Sequence, residues 1–145
     1  MDNSEFLALV DRARMAKPFW FEGEMDIPAT DSQITQAEHE IGAQFPDEYR
    51  FFLSKFGGGY FGHANVFSVT PRSDWNINSI NSRYNVRNDF VAVSDDQAGG
   101  YYGFMRHSGH LSPQIFYIYP PEGDALKEKY PPLFVFLHSV ALEEI

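Results

Sequence analysis

The sequence predicts an α+β fold, a mainly antiparallel β-sheet packed with N-terminal helices and a C-terminal helix. Three observations predict it. Apolar residues at helical spacing recur through the first third of the chain, down to Phe56. Runs of β-branched and aromatic residues, separated by turn residues, fill most of the remainder. An apolar segment with helical spacing then closes the chain. Helices first, strands next and a helix last are the element order of an α+β domain.

Each element has its own signal. SEFLALVDRAR carries apolar residues at Phe6, Leu7, Leu9, Val10 and Ala13, a short N-terminal helix. Two prolines and a glycine break that pattern in residues 17–29, which form a connecting loop or a short extended piece. TDSQITQAEHEIG restarts it, with Thr30 as N-cap, Gln33 completing a capping box, and Ile34, Ala37 and Ile41 on one face. Gly42 stops this helix. A further helix runs from about Asp47 to Phe56, with Pro46 in its first turn and Tyr49, Phe52, Leu53 and Phe56 facing inward. Strands are expected at 65–69, 89–94, 101–106 and 114–119. The polar stretch between the first two holds five Asn and reads as a loop with one helical turn. DDQA followed by Gly99-Gly100 marks a hairpin turn, and HSGHLSP the next turn. In PPLFVFLHSVALEEI, Leu133, Leu137, Val140 and Ala141 share a helical face, although LFVFL also suits the start of a strand.

KFGGGYFG contains Gly57-x-Gly59-x-x-Gly62, the spacing of a dinucleotide loop. Such a loop follows a strand and opens a helix, so that phosphate meets the positive end of the helix dipole. Here the glycines follow a helix and end it, and a phosphate would face carbonyl oxygens. Gly57 is therefore a C-cap, with Gly58 and Gly59 turning the chain.

Bulk properties narrow the function. The 145 residues suit one domain, with 1–29 as the N-terminal helix and connecting loop and 30–145 as the core. The chain has no cysteine, which excludes disulfides, thiolate catalysis and Cys-ligated zinc. MDNSEFLALV lacks the basic start and long apolar core of a signal peptide, and no run is long enough to span a bilayer. The expectation is a cytoplasmic protein that contacts no membrane. The net charge is −9, with 5 positive and 11 negative side chains in residues 1–56. Such a surface repels nucleic acid and favours basic partners; the same charge also serves solubility alone.

Candidate chemistry is sparse. His107-Ser108-Gly109-His110 is the one close histidine pair, but a turn does not present both rings as a helix would. Glu38-His39-Glu40 is not a metal motif, because consecutive helix residues point apart, and it reads as a solvated face. Asp95-Asp96 offers paired carboxylates for acid–base work or Mg²⁺, yet no basic or nucleophilic partner is implied by spacing. A turn rich in Asp and Gly is also what any hairpin needs, and the functional reading beside it is an exposed acidic recognition loop next to Tyr101 and Tyr102. No G-x-S-x-G elbow is present. Trp20 and Trp75 read as half-buried packing residues, with Trp75 also placed to anchor a partner. No catalytic residue, metal site or cofactor is expected.

ATDSQITQAEHEIGAQFPDEYRFFLSKFGGG resembles the N-terminal signature of the SUKH superfamily. That superfamily takes in the yeast glucan-synthesis regulator, bacterial Syd proteins and many bacterial immunity proteins. Thr30, Ile34, Ala37, Glu38, Ile41, Gly42, Pro46, Tyr49, Phe52, Leu53 and Gly58 stand where the pattern has them. FVAVSDDQAGGYYGF resembles the family's strand, acidic turn, Gly-Gly and strand, and QIFYIYPPEGD its next strand and acidic turn. The resemblance covers about residues 30–142. The chain departs from it at Tyr101 and Tyr102, where many members have a small polar residue, and at Pro120-Pro121, which intervene before Glu122.

The resemblance implies a binding protein and not an enzyme. It points first to an immunity protein that neutralises a toxin domain, often a nuclease. A regulatory scaffold of the glucan-synthesis type is the alternative. Apart from the resemblance, the carboxylates and histidines give a third reading from a different class, a metal-dependent hydrolase. A nuclease site is basic because it holds phosphates, so an acidic surface suits it. Asp95, Asp96, Glu122 and Asp124 are the expected contacts, with Tyr101 and Tyr102 as apolar anchors. The chain itself is expected to be a monomer or a homodimer.

Overall fold

A computed structural model describes residues 1–84 and 87–143, and in it five α-helices pack with two antiparallel sheets, an α+β fold. Helix α1 (Asn3–Ala16) starts at Asp2, whose Oδ1 accepts the Glu5 N–H at 2.8 Å. It buries Phe6, Leu9, Val10 and Ala13. A 3-10 turn at Pro18–Phe21 and the short strand β1 (Met25–Asp26) follow, so the connecting segment is in part extended. Helix α2 (Asp31–Ile41) has the full capping box: Gln33 N–H donates to Thr30 Oγ1 at 3.1 Å, and Thr30 N–H to Gln33 Oε1 at 3.0 Å. Helix α3 (Asp47–Phe56) buries Tyr49, Phe52, Leu53 and Phe56, and Pro46 sits just before it as N-cap.

The glycines after α3 differ in part from expectation. Gly57 is the C-cap, at φ +81°. A Cβ there would stand 2.4 Å from the carbonyl oxygens of both Asp26 and Ile27, so only glycine lets the chain pass β1 this closely. Gly58 and Gly59 do not turn the chain. They open strand β2 (Gly58–Phe61), pairing with Asp26 and Met25, and the turn comes later, at Gly62-His63, before β3 (Ala64–Val66). Sheet order is β1-β2-β3.

The Asn-rich stretch forms a longer helix than one turn, α4 (Ile77–Arg83), capped by Asn76. Asn81 holds it to strand β4 (Phe90–Asp95), accepting from Ala92 N–H at 2.8 Å and donating to Ala92 C=O at 2.9 Å. Strands β5 (Tyr101–His107), β6 (His110–Ile118) and β7 (Leu126–Tyr130) complete the second sheet, ordered β4-β5-β6-β7. The turn between β5 and β6 is only Ser108-Gly109, shorter than the HSGHLSP expected. The two sheets meet where Phe67 N–H donates to Val93 C=O at 2.9 Å. Helix α5 (Leu133–Val140) closes the chain as a helix from Leu133 on.

Aromatic rings fill the core. Phe6 stacks on Phe134 at 4.2 Å and meets Phe52, Phe56 and Phe61, so α1, α3, α5 and β2 share one cluster. Tyr49 reaches Phe104 of the large sheet at 5.9 Å, and its hydroxyl donates to Phe67 C=O at 2.6 Å. Burial raises the pKa of that phenol well above the usual value.

Candidate functional site

The register of the large sheet puts the β4–β5 hairpin and the β6–β7 connection at the same end. Both carry the acidic residues singled out in the sequence. At the hairpin, Asp96 is built into the turn. Its Oδ1 accepts from Ala98 N–H and from Gly100 N–H, each at 2.8 Å, and its Oδ2 from the Tyr117 hydroxyl at 2.6 Å. Partial burial opposes its ionisation, but the bonds from Tyr117, Gly100 and Ala98 outweigh it, and the carboxyl is held below its ordinary pKa. The same bond pushes the Tyr117 phenol upward. Gly100 is part of this clasp: a Cβ would lie 2.1 Å from Tyr117 Oη and 2.5 Å from Asp96 Oδ2.

Asp95 is half-buried. Its Oδ1 accepts from Asn65 Nδ2 at 3.0 Å and from Gln97 N–H at 3.2 Å. Gln97, Ala98 and Gly99 form the exposed tip. In the other connection, Pro120–Glu122 makes a 3-10 turn, and Glu122, Gly123 and Asp124 are exposed. Glu122 pairs with Lys127 at 2.9 Å, and the Asp124 carbonyl accepts from Arg87 at 3.0 Å. The two loops adjoin, since a Cβ on Gly99 would stand 3.5 Å from Tyr119 Cε1 and 3.8 Å from Pro121 Cγ.

The two tyrosines part company. Successive strand residues point to opposite faces. Tyr102 turns toward α5, its ring 4.9 Å from Phe136, 5.0 Å from Tyr117 and 5.5 Å from Tyr130. Tyr101 lies on the other face, 5.8 Å from Tyr84. Burial is the first cause of a raised pKa in both. A shallow cleft of about 150 Å³ runs beside the hairpin, lined by His63, Asp95, Asp96, Gln97, Tyr102 and Val140.

The other candidates are placed as follows. His107 and His110 are direct cross-strand partners, an arrangement the expected longer turn did not contain. Glu38 is not solvated: it is half-buried, accepts from Phe45 N–H at 2.8 Å and pairs with Arg50 at 3.5 Å. Glu40 does face solvent, and bonds from Gln36 and Asn78 lower its pKa. Trp75 is half-buried against Tyr60 at 5.4 Å, and Trp20 against His63 at 4.5 Å. Among the described residues, no three of His, Cys, Asp or Glu stand together as a metal site, and no helix is long and apolar enough to cross a membrane.

Chemically, this end of the molecule offers exposed carboxylates on the β6–β7 loop, Glu122 and Asp124, beside a hairpin whose two carboxylates, Asp95 and Asp96, are half-buried and braced from within. Sequence reasoning did not foresee that brace. Its signal is Tyr117, which lies directly across the sheet from Tyr102. Compared with known families, residues 31–137 match the model SUKH_6, described as SMI1-KNR4 cell-wall. Among curated proteins, none matches the chain.

Proposed function

The chain belongs to the SUKH family of SMI1-KNR4 proteins, and on that premise we propose that it is an immunity protein, acting by binding rather than catalysis to neutralise a basic toxin domain. The observation that carries this reading is the adjoining pair of acidic loops at one end of the large sheet. Glu122 and Asp124 are exposed, and Asp95 lies half-exposed beside the tip of the neighbouring loop. Carboxylates gathered in this way steer a cationic surface into contact and speed its association. A toxin domain that handles nucleic acid carries such a surface, because it must hold phosphates.

In this reading Asp95, Glu122 and Asp124 touch the partner, and Asp96 holds the loop in shape. Tyr101 and Tyr102 contribute the ring edges that remain open to solvent. The protein works in the cytoplasm, where such a toxin domain acts. The test is capture with the tagged chain from its native host at low and moderate salt. A single basic protein recovered in equal amount, and lost as salt rises, supports the proposal. Partners that are neither basic nor salt-sensitive favour a regulatory scaffold, a second reading that the cell-wall description of the matching family supports.

A further inference from the structure

Charge brings partners together, but a few covered aromatic side chains usually hold them. At the acidic end, Tyr101 and Tyr102 spend much of their ring surface on contacts within the chain. A more exposed ring stands beside the same face. Phe19, in the 3-10 turn Pro18–Phe21, is 61% exposed. Its ring meets Trp20 at 6.2 Å, and Trp20 meets His63 at 4.5 Å. His63 lines the cleft that holds Asp95 and Asp96. The rings thus lead without a break from the acidic cleft out to Phe19.

Trp20 is the supported member of this path. His63 packs against it, and the Lys17 ammonium lies 6.0 Å from its ring centre. Phe19 is the member left open to water. Glu22 and Glu24, both exposed, continue the negative charge just beyond the turn. An open ring with charged side chains on either side of it in the chain, Lys17 before and Glu22 and Glu24 after, suits an apolar anchor with a polar rim.

We infer that Phe19 is the apolar anchor of the acidic face, entering an apolar socket on a basic protein partner. The inference rests on the protein-binding reading above. A second copy of the chain is the poorer occupant, because each copy carries a net charge of −9 and like charges repel. Phe19 also lies outside residues 31–137, so the anchor is a feature of this chain beyond the matched region.

The experiment places the photo-crosslinking residue p-benzoylphenylalanine at position 19 or at position 97, in separate strains of the native host. Capture of one protein from both positions, through a basic peptide, supports the inference. The captured protein is then titrated with the Phe19→Ala chain. The expected loss of affinity is about tenfold or more, with unchanged salt dependence and unchanged thermal midpoint. Unchanged affinity overturns the inference, as does crosslinking of position 19 to a second copy. Capture from position 97 alone removes Phe19 as anchor and leaves the acidic-loop reading standing. Capture from position 19 alone overturns the inference as stated, because the face that Phe19 anchors would then not be the acidic one. Capture from neither removes both.

Discussion

Asp96 accepts three hydrogen bonds that close the β4–β5 turn, from Ala98, Gly100 and Tyr117. Its carboxyl therefore ionises more readily in the folded chain than in the unfolded one. A depressed folded pKa adds stability that is fully present above the ordinary carboxylate value, about 3.9. That stability is lost as pH falls through the lower, folded value. Asp96→Asn is expected to cost about 1–3 kcal/mol near neutral pH and to flatten the loss of stability on acidification. Denaturant titrations of both chains across the acid range check this. Tyr117→Phe should move the Asp96 carboxyl back upward, readable from its NMR titration. Gly100→Ala forces a methyl group onto both members of the clasp, and a stability loss of at least about 1–3 kcal/mol is expected by calorimetry. The sequence made Gly99-Gly100 legible as turn residues, but the two glycines serve different ends. Gly99 has φ +98°, a backbone requirement, whereas Gly100 is needed for space. The second need depends on Tyr117, seventeen residues on, which no local pattern reveals.

At the scale of elements, periodicity made α1, α2, α3 and α5 legible, because each buries a stripe of apolar residues; α4 buries Ile77 and Ile80 within an Asn-rich run that reads in the sequence as a loop with one helical turn. The missed strands lack that signal. β2 begins Gly58-Gly59, and glycine weakens a strand pattern. β7 reads LKEKY, where Lys127, Glu128 and Lys129 lie exposed on an edge strand and guard it against pairing with another chain. Pro113 argued for a turn, yet it lies within β6 where pairing with β5 slips between Phe104↔Ile115 and Arg106↔Leu111. Helix α1 raises a different issue. It precedes residues 31–137, yet Phe6 is wholly buried among Phe52, Phe56, Phe61 and Phe134. α1 should therefore be part of the folding unit. Phe6→Ala is expected to cost about 3–5 kcal/mol, measured by urea unfolding. A chain starting at residue 30 should lose its cooperative transition altogether. If that truncated chain unfolds as sharply as the whole, α1 is an accessory rather than part of the domain.

For the whole molecule, the governing quantity is the net charge of −9 and where it falls. The acidic loops were legible because Asp and Gly cluster there. What the sequence left hidden is which carboxylates are free to act at a distance. Asp96 is bound to its own turn, Asp95 to Asn65 and the Gln97 amide, and Glu122 to Lys127. Asp124 is exposed; its backbone oxygen accepts from Arg87, and among the described residues its carboxylate makes no hydrogen bond, acting on Arg87 through charge alone. It is thus the carboxylate whose charge can be reversed without removing a side-chain hydrogen bond of either loop. Reversal there should act on encounter rather than on the docked complex. With a basic partner, Asp124→Lys is expected to slow association several-fold at about 0.01 M salt, where fields reach roughly 30 Å. Near 1 M the reach falls to roughly 3 Å, and the two chains should associate at similar rates. Dissociation should change little at either salt, because a charge at the rim of an interface governs approach more than residence. Stopped-flow association at several salt concentrations separates these effects. An on-rate that ignores both the substitution and the salt would mean that the acidic end does not steer the partner. The charge would then serve solubility, and recognition would lie on another face.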